Sequence, residues 1–465
     1  MGTVHAKADH GEVGGGLFEF EEPVDLDDER TLPKPSIQLG GVRARVDRVH
    51  VDGLSRTKDD VVRGTVNDLF LATDFEDVIL RAHKVRRALD SMGCFRDIGV
   101  LIDVSSGPDA TPEGLEVTFQ VKELSRIVGG INTTVSENEG NLVIGVKMPN
   151  VLGRGERLHA EYSVGHRSTS NFSIAATKPF PRTPLVPVLT TSIFQQNHEY
   201  PWSGYRLLDR GVLLDVAFKT SPRTTHNLQW EGLVRDTSVL SKTTSFKVRE
   251  SSGPQMKSAL RHIVTVDNRD EPIFPQRGTR VQFSSEVSGL GGGVAFLKSE
   301  LLGEANVPLA ENIVFQVSGA LGVLHDMFGT ELTEHFYLGG ATTLRGFRQR
   351  GAGPHSDNQA TGGRMYWASG VHLYTPLPFR PGAGGLGDLF RSHLFANAGC
   401  LAGPEESSAM YLSSLSQVRV SIGAGIALRL GRVAKAELNY CVPIRACAGD
   451  ATAPGLQLGV GAHFL

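Results

Sequence analysis

Apolar residues occupy every second position in a long series of short segments that begins near residue 127 and continues to residue 465. Segment 313–324 is typical, because its apolar side chains alternate with polar or small ones. This is the two-residue period of a β-strand whose two faces meet different environments. The same period recurs in 279–287, 418–430 and 456–464. The pattern therefore predicts a mainly β chain.

The number and spacing of these segments favour a transmembrane β-barrel. About 340 residues divide into sixteen units of roughly 21 residues, which suits tilted membrane-crossing strands with their connections. A seventeenth candidate segment, 243–249, is set aside because such barrels usually have an even strand number. A soluble β-sandwich shows the same alternation, so the pattern alone does not decide whether the apolar face meets a protein core or lipid.

Residues 45–125 follow a different pattern and predict a small α+β domain. Apolar positions at helical spacing over 78–89 predict a helix that ends at Gly93. Alternating segments at 95–102 and 115–121 predict strands. Alternating Val49 and Val51 predict a strand before these elements, and Val61, Val62 and Val66 suit a short first helix. The resulting order strand, helix, helix, strand, strand resembles a polypeptide-transport-associated (POTRA) domain. Any small α+β domain of this order would fit as well, so both interpretations stay open at this point.

The first 42 residues predict a disordered acidic tail. Glutamate and aspartate dominate this segment from residue 12 onward, and such a composition does not bury enough apolar surface to fold. The segment is opposite in character to an arginine-rich mitochondrial presequence and lacks an apolar secretory core. We therefore expect no cleavable targeting signal.

Composition narrows the classes of function. A net charge of -3 argues against nucleic acid as a partner. No zinc-protease, phosphate-loop or serine-elbow motif occurs, so we expect no enzymatic activity, no cofactor and no metal. The four cysteines lack metal-ligand spacing, which favours reduced, structural thiols. Glycine contributes 54 of 465 residues, which is a larger share than the usual ~7%. Most of the excess lies inside the alternating segments, which indicates tight bends or close backbone approach in the strands.

A long connection at 326–362 interrupts the alternation and contains an Arg-Gly motif. The motif comprises Leu344, Arg345, Gly346 and Phe347. A loop of this length in a compact domain is usually functional or disordered. Three further motifs accompany it in a fixed order, at 149–155, 267–278 and 336–340.

This ordered set, behind a POTRA-like module, resembles the BamA-like family of outer-membrane assembly proteins. The similarity to mitochondrial members of the family extends over nearly the whole chain and includes 372–382 and 437–443. It implies a sixteen-stranded barrel at 126–465 in the mitochondrial outer membrane, with the N-terminus and the POTRA domain in the intermembrane space. The partners that it implies are β-barrel precursors, metaxin-type subunits, the cristae-organising (MICOS-type) complex of the inner membrane and the lipid bilayer.

The resemblance also assigns candidate residues to the lumenal loop and to the wall against which it docks. Arg345 would fix the loop against the inner wall of the barrel. The candidate wall residues are Gly363, Arg364, Phe395, Asn397 and Gly399. The family usually has an acidic residue where this chain has Arg364, and often aspartate where it has Asn397. The charged partner of Arg345 is therefore left open: Asn397 can still accept a hydrogen bond, whereas Arg364 would repel Arg345 unless the two side chains point apart.

A protein that inserts barrels needs a seam at which backbone hydrogen-bonding groups are offered to another strand. The seam would lie between the first and last barrel strands, near 127–135 and 456–465. Its candidate residues are Ile127, Gly129, Ile131, Gln457, Gly459, Ala462 and Phe464, of which the last four fit the family's insertion signal. Gly459 and Gly461 would weaken strand packing, or would only relieve curvature of the barrel.

Three functional hypotheses follow. The first is insertion of β-barrel precursors through the seam, together with a contribution to cristae organisation. The second is a membrane scaffold that tethers cristae-organising complexes without insertase activity. The third is a diffusion porin, which the POTRA-like module disfavours.

Overall fold

The computed structural model describes residues 41–106, 110–135, 140–165, 169–181, 183, 185–329, 332–377, 386–403, 417–431, 434–461 and 463–465. The predicted acidic tail lies outside the described residues except for its last two positions. Within the described part of the chain, no helix is long and apolar enough to cross a membrane.

An N-terminal unit contains three strands and two main helices in the predicted order. They are β1 (Arg45–Asp52), α1 (Asp59–Val66), α2 (Phe75–Ser91), β2 (Phe95–Val104) and β3 (Gly114–Glu123). The sheet has the order β1-β3-β2, with β1 parallel and β2 antiparallel to β3. The buried helix positions Val78, Ala82, Val85 and Leu89 recur at helical spacing and join one apolar core with Val117 and Phe119 of β3.

The remainder of the chain forms a sheet of sixteen strands, each antiparallel to its neighbours. The strands are β4 (Val128–Val135), β5 (Gly140–Pro149), β6 (Arg157–Gly165), β7 (Ser170–Pro179), β8 (Val188–Tyr200), β9 (Tyr205–Ser221), β10 (Thr224–Val239), β11 (Gly253–Asp267), β12 (Gly278–Ser288), β13 (Ala295–Ala310), β14 (Ile313–Phe328), β17 (Met365–Pro376), β18 (Phe390–Ala402), β19 (Arg419–Leu430), β20 (Ala434–Arg445) and β21 (Gly455–Gly461). The two-residue strands β15 (His355–Ser356) and β16 (Gln359–Ala360) form a separate hairpin. Helix α3 (Phe246–Glu250) occupies the segment that was set aside as a seventeenth strand. The predicted sixteen-stranded, mainly β fold is confirmed.

The sheet carries its apolar side chains on the outside. On β14, the side chains of Val317, Leu321 and Val323 are 41–42% exposed, whereas Gln316 and Ser318 on the opposite face are buried. An apolar exterior around a polar interior reverses the arrangement of a soluble protein and is typical of a lipid-facing barrel. Alternate residues of the barrel strands therefore face lipid and lumen.

The first and last strands of the sheet are not paired. The strand order runs from β21 through β20 and onward to β4, and among the described residues no ladder or isolated bridge joins β21 to β4. The sheet nevertheless curls on itself, because Arg280 of β12 contacts His463, which follows β21. The fold is thus a barrel with an open seam between β4 and β21.

The N-terminal unit is attached to the barrel at the turn between β5 and β6. The Arg56 guanidinium donates hydrogen bonds to the main-chain oxygens of Leu124 and Pro149, the latter at 3.2 Å. The side-chain amide of Asn150 donates to the Thr57 hydroxyl at 2.8 Å. These contacts place the turn motif at 149–155 between the unit and the barrel.

A single carboxylate organises this junction from the side of the N-terminal unit. Glu123 accepts hydrogen bonds from the main-chain amides of Ser55, Arg56 and Thr57, and from the Thr57 hydroxyl at 2.7 Å. Burial works to raise the pKa of Glu123, but the bonds from Thr57 and its neighbours outweigh burial and lower the pKa well below its usual value. Glu123 therefore favours its charged form at the junction.

The connection between β14 and β17 folds into the lumen. It comprises residues 329–364, of which all but 330 and 331 are described, and is called the lumenal loop below. The predicted bounds of 326–362 differ by two or three residues, because β14 continues to Phe328 and β17 begins at Met365.

Candidate functional site: a lumenal loop beside an open seam

Glycine shapes the turn that brings the Arg-Gly motif to the barrel wall. Gly346 has a φ of +83°, and a Cβ added to it would lie 3.1 Å from the Cβ of Ser421 on β19. An L-residue rarely adopts this φ, and a side chain would also push the loop from the wall. Gly346 thus allows both the turn and the close approach.

Arg345 is fully buried and forms an ion pair with Glu437 of β20. The Arg345 Nη2 atom lies 2.7 Å from Oε2 of Glu437, and both side chains are 0% exposed. Arg345 Nη1 also donates to Oδ1 of Asn397 at 3.2 Å and to the main-chain oxygen of Leu465. In a lumen shielded from water, charge-assisted hydrogen bonds of this kind are strong and directional.

Aromatic rings cover the Arg345 guanidinium. Its central carbon lies 5.0 Å from the ring centroid of Phe395 and 5.4 Å from that of Phe464. Such cation–π contacts gain strength when the cation is removed from water. They also fill the space around the ion pair.

Further polar side chains of the wall surround Glu437. Lys435 Nζ lies 2.9 Å from Oε1 of Glu437. The side-chain amide of Asn439 donates to Oε2 of Glu437 at 3.1 Å, and its oxygen lies 2.8 Å from Nε2 of His393. Two cations therefore share one carboxylate, and the loop supplies one of them.

The apolar residues of the motif pack in a small core inside the lumen. Leu344 and Phe347 are 0% exposed. Their buried neighbours in this core include Leu338, Phe336, Tyr366 and Leu401. The motif thus binds the wall through Arg345 and through apolar packing on either side of it.

A second ion-pair network, at the start of the loop, binds the opposite wall. Glu334 accepts hydrogen bonds from Arg235 of β10 at 2.7 Å and from Lys257 of β11 at 3.0 Å, and its main-chain oxygen accepts one from Lys298 of β13 at 2.8 Å. Strands β10 and β20 are eight positions apart in the order of the sheet, which is half of the sixteen strands. The loop therefore crosses the lumen between two walls, with an acidic residue at one contact and Arg345 at the other.

The structure brings together only part of the predicted docking wall. Asn397 and Phe395 contact Arg345, and Gly399 lies under the loop, because an added Cβ would be 3.1 Å from Leu338. Gly363 instead belongs to the loop and pairs with Phe336 through the backbone.

Arg364 is not a wall residue for Arg345. Its Nη2 atom lies 2.8 Å from Oδ2 of Asp326, so the guanidinium is paired with this carboxylate and not with Arg345. The carboxylate that pairs with Arg345 is Glu437, which follows Arg364 by more than seventy residues in the sequence.

Five of the seven predicted seam residues lie on the edge strands β4 and β21 or directly before β4. Ile131 of β4 and Ile127, which precedes that strand, are 68% and 64% exposed, and Gly129 shares their face. Phe464 is buried in the lumen and Gln457 contacts the loop. Ala462 lies outside the described residues.

Sequence reasoning missed Glu437, Glu334 and Arg235. A signal for Glu437 was present, because Lys435, Glu437 and Asn439 form the polar face of an alternating segment. Charged residues on the lumenal face of a membrane strand require partners. Which partner each residue meets depends on the path of the loop, which no local pattern encodes.

The fold and the lumenal loop define a class of outer-membrane β-barrel proteins. The Omp85 superfamily domain matches residues 150–464 of this chain. The solved structure of BamA from Haemophilus ducreyi lacking POTRA domains 1–3 superposes with a TM-score of 0.74, covering 90% of this chain and 85% of that chain. At 17% identity, this likeness concerns the fold alone.

Full-length relatives narrow the class to one family. The sorting and assembly machinery component 50 homologue of Mus musculus is 41% identical over 477 residues, and the alignment covers 100% of both chains. The SAM50-like protein CG7639 of Drosophila melanogaster is 38% identical over 435 residues, with 92% of this chain and 96% of that protein covered. This chain belongs to the family of sorting and assembly machinery component 50 homologues.

Proposed function

We propose that this chain acts in β-barrel assembly in the mitochondrial outer membrane and that it inserts precursor proteins through the seam between β4 and β21. The observation that carries the proposal is the unpaired state of these two edge strands in an otherwise continuous sixteen-stranded sheet. Membership in the sorting and assembly machinery component 50 family supports the same role.

The seam would act by strand addition. Unpaired backbone groups in lipid cost several kcal/mol each, so the exposed edge of β4 favours pairing with any strand that reaches it. An incoming strand would gain main-chain hydrogen bonds, while its alternating side chains set the register. Nothing in this scheme requires a nucleophile, a metal or a cofactor, and we propose that the protein is not an enzyme.

The lumenal loop would keep the barrel in shape while the seam changes. Its two ion-pair contacts, Glu334 with β10 and β11 and Arg345 with β20, lie half a barrel apart. A loop attached to both walls braces them against each other. The seam edges would then move while the rest of the wall keeps its curvature.

The N-terminal unit would lie in the intermembrane space as a POTRA domain, with metaxin-type subunits and the cristae-organising complex as further partners. Support for the POTRA assignment comes from the element order of the unit and its close attachment at Arg56 and Asn150. The named partners rest on the family resemblance.

Depletion of the protein from cells distinguishes the insertase hypothesis from the scaffold hypothesis. Mitochondria without the chain should import a radiolabelled porin but fail to convert it into the folded, membrane-integrated form, and re-expression of the chain should restore that conversion. Normal porin assembly with disturbed cristae would contradict insertion and support the scaffold hypothesis.

A further inference from the structure

The last barrel strand is bound to the lumenal loop by a side-chain amide. Gln457 of β21 accepts a hydrogen bond from the main-chain amide of Gly346 at 2.9 Å and donates one to the main-chain oxygen of Phe347 at 3.0 Å. The two bonds satisfy both ends of the amide group. The side chain of Gln457 thus forms one accepted and one donated hydrogen bond with the main chain of the Arg-Gly motif.

Backbone hydrogen bonds extend this attachment beyond Gln457. The amide of Ala453 donates to the oxygen of Gly346 at 2.8 Å, and the amide of Arg348 donates to the oxygen of Ala451 at 2.9 Å. Phe347 and Thr452 form an isolated antiparallel bridge. The loop therefore follows the hairpin of β20 and β21 through its connection as well as along the strand.

Glycine in β21 makes room for the loop. A Cβ added to Gly459 would lie 2.8 Å from the Cβ of Ala341, whereas one added to Gly461 would have no atom nearer than 3.5 Å, the Cγ2 of Thr342. Gly459 is thus required for close approach, whereas Gly461 tolerates a methyl group. The earlier interpretation of these glycines as relief of curvature does not account for this contact.

Phe464 and Leu465, after the end of β21, contact the loop as well. The amide of Leu465 donates to the oxygen of Thr342 at 2.9 Å. The buried ring of Phe464 lies between Arg345 and Lys435, with Nζ of Lys435 4.8 Å from its centroid. The groups that a longer β21 would offer to β4 are directed into the lumen instead.

We propose that Gln457 is a positioning residue that attaches the last strand to the lumenal loop, and that this attachment keeps the edge of β21 from pairing with β4. The inference deepens the proposed seam function and rests on it. Two unpaired edges in lipid favour closure, so contacts inside the lumen must offset that tendency. The amide pair of Gln457 and the approach at Gly459 are the contacts on the strand itself.

Seam closure without any precursor tests this inference. The background is a chain in which Cys400, Cys441 and Cys447 are replaced by serine, which keeps a donor beside Gln457 at position 441. One cysteine at Ile131 and one at Leu458, both on the lipid face, then report pairing through oxidation to a disulfide. Gln457→Met keeps the length of the side chain and removes both hydrogen bonds to the loop. We expect it to raise the initial disulfide rate about fivefold, as the loss of one hydrogen-bond pair predicts.

Two matched controls accompany this variant. Leu456→Met introduces the same new residue on the lipid face of β21 and should leave the rate of disulfide formation unchanged. Gly459→Ala should raise the rate as Gln457→Met does, whereas Gly461→Ala should not.

If folded Gln457→Met and Gly459→Ala barrels formed the disulfide at the parental rate, the proposed attachment of β21 to the loop would be wrong. Should Gln457→Met fail to fold, the comparison of Gly459→Ala with Gly461→Ala decides in its place. Because no precursor is present, this result is separate from that of precursor assembly, which tests insertion alone.

Discussion

At the scale of single residues, one buried cation holds the lumenal loop against the wall of the barrel. Arg345 has no exposed surface, and its charge is compensated by Glu437, by Asn397 and by two aromatic rings. Glu437 also pairs with Lys435 at 2.9 Å. Removal of one member of a buried ion pair typically costs about 3–5 kcal/mol, because the partner charge stays buried.

Arg345→Ala should therefore impair precursor assembly more than barrel folding, because it frees the loop and leaves the strands intact. Glu437→Gln should have the larger effect on stability, since it leaves two cations, Arg345 and Lys435, without their carboxylate. The measurement is a double-mutant cycle of thermal unfolding in detergent combined with precursor assembly in membranes, with a coupling of about 3 kcal/mol expected between Arg345 and Glu437.

Arg364→Ala serves as the matched control for this cycle. Arg364 lies at the end of the same loop, and its ion pair with Asp326 is partly exposed, so little change is expected. Additive effects of the Arg345 and Glu437 substitutions would show that the two residues act independently, and the ion pair would then not be what holds the loop.

The sequence identified Arg345 and Asn397 but not Glu437, for a physical reason. The motif and its wall are recognisable from residue types and their order, whereas an ion pair across 92 positions depends on how the loop crosses the lumen. Asn397 keeps the acceptor oxygen of an aspartate without its charge. The charge is supplied from β20 instead, where the alternation already placed Glu437 on the lumenal face.

At the scale of elements, strands and helices were predictable to within a few residues. The period of two separates lipid-facing from lumen-facing positions, so strand existence follows from the sequence. The segment at 243–249, which was set aside as a strand, overlaps the short helix α3 between β10 and β11. The second loop contact, Glu334 with Arg235 and Lys257, was not predictable, since it joins three separate elements.

The junction between the N-terminal unit and the barrel should be sensitive to acid. The pKa of Glu123 is lowered from 4.5 in the folded chain, so its contribution to stability is complete above about pH 4.5 and is lost as the pH falls through the lowered pKa. The rate of pepsin cleavage within residues 45–125 should therefore rise as the pH is lowered from about 5 to 2.

Glu123→Gln provides the control for this titration. The variant lacks the titrating carboxylate, so it should be cleaved faster than the parent at pH 5 and should show a weaker dependence on pH. The same pH dependence in parent and variant would place the acid sensitivity elsewhere in the unit.

At the scale of the whole molecule, the open seam is the feature that the sequence could locate but not describe. A barrel with first and last strands paired would show the same alternation in each strand. The pairing depends on the balance between edge hydrogen bonds in lipid and the contacts of the lumenal loop, and that balance involves the entire barrel. The strand count fixes where the seam lies, and only the fold gives its open state.

The most direct test of seam insertion is to lock the seam and to measure assembly. Cysteine pairs that scan residues 128–133 against 455–460 would be introduced after replacement of Cys400, Cys441 and Cys447. Cys94 can be retained, because its burial in the N-terminal unit raises the pKa of its thiol to about 12 and so disfavours the reactive thiolate. We expect a disulfide across the seam to abolish assembly of an imported porin and reduction to restore it. Assembly at the parental rate in fully locked barrels would rule out insertion through the seam.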